Sequence, residues 1–178
     1  VVTINASAFH AGKLDSIKMV ADAKEGVKAL EKYLDGYKSA YTTEIADAKA
    51  DWDKEMARLA ATNYGEGYTP EIPNHMPDAV ESFVKATGGV ITQTAALSLI
   101  RKLIPADAVA VGAAGSLPGC MQRMWTTDKL YSYNMEYGYS TMGYEVAGAL
   151  GVKLAIGEDH EVYSFCGDGS FNMLHGEL

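Results

Sequence analysis

The feature that most constrains this chain is an apolar run that passes at once into a glycine-rich bend, a unit found at two places, the second of them leading directly into a helical pattern. Ala108 to Ala113 (AVAVGA) is a continuous run of small apolar residues, the composition of a strand covered on both faces of a parallel sheet. The bend GAAGSLPG follows it, with Gly112, Gly115 and Gly119. Glu161 to Cys166 (EVYSFC) reads as another strand, followed directly by Gly167-Asp168-Gly169-Ser170. Beyond it, Phe171, Leu174 and Leu178 recur at helical spacing. Between the two units, MGYEVAGALGVKLA is helical in Val146, Leu150 and Leu154, and Gly148 and Gly151 are expected to mark close packing against another backbone. Ahead of both, Thr92 or Thr94 caps a helix with an expected inward stripe of Ala95, Leu99 and Leu103, joined by Ile100 and Ile104, and Pro105 ends it. Helix, strand, helix, strand, helix argues a doubly wound parallel α/β sheet.

The earlier part of the chain reads as a different body. Val1 to Asn5 (VVTIN) is a β-branched run expected to form a buried strand. Ile17 to Val20 is a second short strand leading to Asp22, an N-cap for a helix with Val27, Leu30 and Leu34 inside and Gly36 at its C-cap. Thr42 to Ala61 is rich in helix formers, with alternating charge around Ile45, Trp52, Met56 and Leu59, and reads as a solvated linking helix. Asn63 to Asp78 carries prolines and glycines without periodicity and reads as an irregular connector. The expected division is therefore residues 1–62, the end of a central α/β domain with its trailing helix; 63–88, a linker; and 89–178, the first part of a second α/β domain. Val1 opens inside an extended run and Leu178 stops inside a helical one, so an internal piece of a longer protein is expected.

Fifteen basic against 23 acidic residues leave a formal charge of −8, which disfavours a nucleic-acid partner. No stretch approaches the roughly 20 apolar residues of a membrane span. The start, VVTINASAF, has no basic leader, and Cys120 and Cys166 form neither a disulfide framework nor a zinc spacing, so a reducing cytoplasm is expected.

The chemistry concentrates in GDGS. Ligands of open α/β sheets bind at the carboxyl ends of strands, where this bend falls. Glycines admit a ligand close to the backbone, and N–H groups at a helix start suit phosphate oxygens. Asp168 would repel a bare phosphate, but Mg²⁺ takes one or two carboxylates and bridges them to phosphate oxygens. A metal-bound diphosphate follows. A dinucleotide fingerprint would need glycine at position 172, which is Asn172, and no P-loop sequence occurs.

GDGSFNMLHGEL, with STMGYEVAGALGVKLA (Ser140 to Ala155) one helix and one strand before it, resembles the thiamine-diphosphate enzyme family. Ala113 to Gly119 (AAGSLPG) with Trp125 is similar to a member that opens an inositol-derived cyclic diketone. The resemblance is specific from about Thr92 to Leu178 and looser from Val1 to Leu59. It implies the end of a central Rossmann-like domain followed by the first half of a doubly wound, parallel-sheet diphosphate-binding domain. It also implies thiamine diphosphate and Mg²⁺ as cofactors, a polyol-derived diketone as small-molecule substrate, C–C cleavage by water to a deoxy-uronic acid, and a homo-oligomer with the cofactor between two chains. By position, Asp168 would be the metal ligand, and Gly169 and Ser170 would hold the diphosphate through N–H and hydroxyl groups. Met142 would wedge under the folded cofactor, the Ser140 carbonyl would accept from its aminopyrimidine, and the Gly115-Ser116-Leu117 turn would meet its other side. Many family members carry glycine where Ser140 stands. A closing Asn, the second metal ligand, is expected beyond Leu178, Asn172 being too near Asp168; the family's catalytic glutamate has no counterpart here, so the chain alone is expected to be inactive.

Other candidates have plain structural readings. Tyr131, Tyr133, Tyr137, Tyr139 and Tyr144 read as loop packing at a subunit contact rather than a polyol pocket, and Glu136 as an exposed loop carboxylate rather than a substrate contact. His10, His75, His160 and His175 lack metal-ligand spacing. Cys166 reads as a small buried filler, and Cys120 as a loop residue near the cofactor. A decarboxylase or carboligase of the same family, or a non-catalytic α/β interaction module, are the competing functions.

Overall fold

The computed structural model describes residues 1–65, 68–70, 72 and 77–178. His75 and part of the proline-rich connector lie outside the described residues. The chain divides into two compact units, Val1–Asp47 and Ala48–Leu178.

In the first unit, β1 (Val2–Asn5) pairs in parallel with β2 (Ile17–Val20), with α1 (Ala8–Ala11) between them, an element the sequence pattern did not signal. Asp22 caps α2 (Ala23–Glu31) by accepting from the N–H groups of Lys24 and Glu25. That helix presses Gly26 on the sheet: a methyl there would sit 2.7 Å from Ile4 Cγ2. The strand expected to be buried is not, for Val2 is 44% exposed; a sheet of two strands covers little of its own surface. Nor does the helix reach Gly36. It ends at Glu31 and runs on in turns (Tyr33 N–H to Leu30 O, Leu34 N–H to Glu31 O), with Val27 and Leu34 exposed within the unit.

The second unit begins at Ala48, within α3 (Glu44–Ala61). Asn63 forms an antiparallel bridge with Ile91, which fixes the start of the connector, and α4 (Pro77–Thr87) occupies much of the expected linker. Thr92 caps α5 (Gln93–Leu103) by accepting from Ala95 N–H. The inward face of α5 differs from the expected stripe: Leu97 is 2% exposed while Leu103 is 84% exposed. Arg101, one turn beyond Leu97 and half-buried, donates to the Thr126 carbonyl and lies over the Trp125 ring.

The sheet holds three parallel strands in the order β4–β3–β5: β4 (Tyr133–Met135), β3 (Val109–Gly112) and β5 (Val162–Phe165). All four residues of β3 are buried, as a central strand in a two-sided sheet requires. β4, three residues in a tyrosine-rich stretch, carries no sequence signal of its own. Helix α6 (Ser116–Met124) joins β3 to β4, and α7 (Tyr144–Ile156) joins β4 to β5; α8 (Asp168–Leu174) follows β5. Pro118 falls in the first turn of α6, where its missing N–H costs nothing. The core packs Leu59, Leu97, Met121, Met124 and Phe165 around β3. The shared ground is thus a small parallel α/β sheet. No described helix is long and apolar enough to cross a membrane.

Candidate functional site

The strand order fixes where a site can form. From β3 the chain turns to β4 on one side, then returns across β3 to β5 on the other. The crevice between the carboxyl ends of β3 and β5 is a topological switch point, the place where open α/β sheets take ligands. Register aligns Gly112 with both Met135 and Phe165, so the three strands end at one edge. Three segments leave that edge: 113–115, 136–143 and 166–167.

The first carries Gly115, which caps α6 at φ +111 and receives no side-chain capping bond. Gly115 and Ser116 are exposed, and a methyl built on Gly115 meets nothing within 4 Å. The third carries Gly167, in ordinary extended backbone at φ −77 and ψ 164, which caps α8 again without a side chain. A methyl on Gly167 also meets nothing within 4 Å. Asp168 and Gly169 are exposed at the start of α8, whereas Ser170 is 4% exposed.

The middle segment is held by hydrogen bonds from its backbone to two glutamates. Ser140 sits at φ +56, left-handed backbone that glycine adopts without strain. Glu136, half-buried, accepts from the Tyr139 N–H at 2.9 Å through Oε1 and from the Thr141 N–H at 2.8 Å through Oε2. These bonds, that of Thr141 first and that of Tyr139 next, hold its carboxyl below the ordinary range. Met142 is 47% exposed, and its Cε lies 3.7 Å from a methyl built on Gly169. Gly143, at φ +89, caps α7, and a methyl there would lie 2.9 Å from Leu174 Cδ1 on α8. Glu145, 1% exposed, accepts the Gly143 N–H at 2.8 Å. The fold thereby brings Met142 against Gly169, a meeting of residues 27 positions apart.

The tyrosines split. Tyr137 donates to the Pro118 carbonyl at 2.6 Å and Tyr144 to Asn134 Oδ1 at 3.1 Å, while Tyr133 packs on the core, where burial and the neighbouring Tyr137 push its phenol up. Tyr131 and Tyr139 are over 90% exposed. A methyl built on Gly148 would lie 3.0 Å from the Tyr144 ring of its own helix rather than against another backbone, and Gly151 faces open space. His160 sits 3.2 Å from Asp107, and His175 stacks on Phe171. Cys120 and Cys166 are both free and half-buried. Sequence reasoning missed the part Glu136 plays; its signal was a glutamate directly before a turn rich in small residues.

The donor set suits a metal-bound diphosphate. Two helix starts without side-chain caps offer N–H groups, glycines leave space over the backbone, and one exposed carboxylate, Asp168, stands beside them. Among the described residues no three His, Cys, Asp or Glu side chains converge as a protein-only metal cage. Mg²⁺ on diphosphate needs none.

Comparison with known proteins finds similarity over part of the chain and over all of it. Residues 113–178 match the thiamine pyrophosphate enzyme C-terminal TPP binding domain, and all three edge segments fall inside the match. Over its whole length the chain is also similar to particular longer proteins. It is 53% identical to a 3D-(3,5/4)-trihydroxycyclohexane-1,2-dione hydrolase of Geobacillus thermodenitrificans, with 100% of this chain and 28% of that protein covered. Identity is 55% to the hydrolase of the same name from Clostridium botulinum strain Alaska E43 (99% and 28% covered) and 51% to that of Clostridium perfringens (99% and 28%). The chain spans 28% of the length of these relatives.

Proposed function

We propose that the chain supplies part of the cofactor site of a thiamine-diphosphate and Mg²⁺ dependent hydrolase. The whole protein would open a trihydroxycyclohexane-1,2-dione, an inositol-derived ring, by C–C cleavage with water to 5-deoxy-glucuronate. Residues 1–62 are assigned to the end of a central Rossmann-like domain, 63–88 to a linker and 89–178 to the first half of the doubly wound diphosphate-binding domain. A homo-oligomer in the cytoplasm is the expected setting.

The observation that carries this reading is the convergence of three glycine-bearing segments at the switch point of the sheet, with Met142 against Gly169. Asp168 would ligate Mg²⁺. The N–H groups of Gly169 and Ser170 would hold the diphosphate, with the Ser170 hydroxyl on the covered side. Gly115 and Ser116 would lie along the opposite flank. Met142 would support the cofactor's folded shape, and the Ser140 carbonyl would accept from its aminopyrimidine. When bound, thiamine diphosphate supplies a nucleophilic carbon and an electron sink for C–C cleavage.

Heat unfolding of the whole protein tests the reading. Thiamine diphosphate with Mg²⁺, each at a hundredfold excess over its Kd, should stabilise the protein by about 2.7 kcal/mol. Asp168→Ala should abolish that gain while leaving the unliganded protein unchanged, because Asp168 is exposed and has no ion pair among the described residues. No protection of the unaltered protein would overturn the assignment and favour a structural α/β module.

A further inference from the structure

We infer that Glu136 is a positioning residue for the cofactor: its carboxylate shapes the Tyr139–Met142 loop so that the Ser140 carbonyl and the Met142 side chain stand ready before any ligand arrives. The inference rests on the proposed thiamine-diphosphate site and adds a residue to it.

Each oxygen of Glu136 takes a different backbone N–H, Oε1 that of Tyr139 at 2.9 Å and Oε2 that of Thr141 at 2.8 Å. These two donors flank Ser140 on either side. Between them the chain must pass through the left-handed region, at φ +56, which a serine enters only at a cost. Bonds to a charged acceptor are about twice as strong as neutral ones, and two from one carboxylate fix direction as well as distance. Glu136 is itself anchored, since its N–H donates to the Gly112 carbonyl at 3.1 Å, at the end of the central strand. The carboxylate thus ties the loop to the most buried strand of the sheet. On the far side of the loop, Glu145 accepts the Gly143 N–H, so Met142 lies between two backbone anchors. Glu145 is 1% exposed and built into the start of α7, which makes it a folding residue too; Glu136 is half-buried and can be altered without opening the core.

The experiment compares Glu136→Gln and Glu136→Ala with the unaltered protein, each made in the whole enzyme to which the proposal assigns this chain. Without cofactor, hydrogen exchange at the Tyr139 and Thr141 amides should rise about tenfold or more in Glu136→Ala, with the Gly143 amide unchanged. Calorimetry with thiamine diphosphate and Mg²⁺ should then show binding weakened about tenfold in Glu136→Ala and less in Glu136→Gln, whose single amide oxygen can keep one of the two bonds. Inorganic pyrophosphate with Mg²⁺ should bind all three proteins alike, because Gly167 to Ser170 is not held by Glu136. Equal weakening toward both ligands would mean a general structural defect and overturn the inference. Unchanged thiamine-diphosphate affinity in Glu136→Ala would overturn it and leave the cofactor assignment standing. Failure of the unaltered protein to bind either ligand would remove both.

Discussion

Gly169→Ala should raise stability and lower affinity at the same position, and the two effects can be separated by one pair of unfolding curves. Gly169 is the second residue of α8 and has ordinary negative φ. A methyl there meets only Met142 Cε at 3.7 Å, an ordinary van der Waals contact. The fold itself therefore does not require glycine, and alanine should gain up to about 0.5–1 kcal/mol from reduced unfolded-state freedom and better helix propensity. If a diphosphate packs on this backbone, the same methyl stands in its way. A tenfold loss of affinity, about 1.4 kcal/mol, is a modest expectation for such crowding. At a ligand concentration giving the unaltered protein about 2.7 kcal/mol, the variant would retain about 1.4 kcal/mol. The order of stability should therefore cross: the variant unfolds at higher denaturant without ligand and at lower denaturant with thiamine diphosphate and Mg²⁺. Parallel curves, with the variant ahead by the same margin in both conditions, would refute the idea that Gly169 is kept for close approach of a ligand.

Other expectations test separate parts of the argument. Ser140→Gly removes left-handed strain of about 1–2 kcal/mol and returns about 0.5–1 kcal/mol of unfolded-state entropy, so a net gain of about 0.5–1 kcal/mol should appear in urea unfolding; a loss would mean that the serine side chain is itself a structural anchor. Leu97→Ala should cost about 2–5 kcal/mol and Leu103→Ala under about 0.5 kcal/mol, a contrast that thermal melts would reverse if the α5 face were the one its sequence suggests. Glu136 titrates below its ordinary value of 4.5 in the folded chain, so its contribution to loop order is complete above that pH and is lost as pH falls through the lower folded value. The Tyr139 and Thr141 amide proton shifts should move together with a midpoint under 4.5, and a midpoint at or above it would contradict the two bonds.

How far the sequence was legible depends on whether a residue's task is local. Ala108 to Ala113 reveals β3 because a strand covered on both faces is apolar at every position. Thr92 and Asp22 reveal helix starts because a cap bonds two or three residues ahead. The α5 face was misread for the opposite reason. Arg101 lies one turn beyond Leu97 and engages the distant Thr126 carbonyl and the Trp125 ring, and no window around residue 101 contains those partners. β4 was missed because three residues with mixed polarity have no period to detect, and their strand character comes from register with Ala110 to Gly112. In the candidate site, Asp168 and Gly169 stand out as a strand–bend–helix motif, but the meeting of Gly169 with Met142 depends on α7 packing against α8. Glu136 looked like a loop carboxylate since its partners are backbone groups, which have no letter in a sequence.

The backbone itself adds a final argument for where function lies in this molecule. Three of the seven left-handed residues of the described chain, Gly115, Ser140 and Gly143, lie in the segments that leave the carboxyl edge of the sheet, and Gly36, Gly88, Gly157 and Tyr131 lie elsewhere. A turn between strand and helix does not itself require such backbone, as Gly167 at φ −77 demonstrates. Left-handed positions redirect the peptide groups on either side of them. The start of α6 at Gly115 carries no side-chain cap, and on either side of Ser140 the Tyr139 and Thr141 N–H groups turn toward Glu136. Strain held at a non-glycine residue by two charge-assisted bonds marks a place where the fold gives up stability to fix the direction of a polar group. A diphosphate-bearing cofactor lying across the switch point is the ligand that would use all three segments at once.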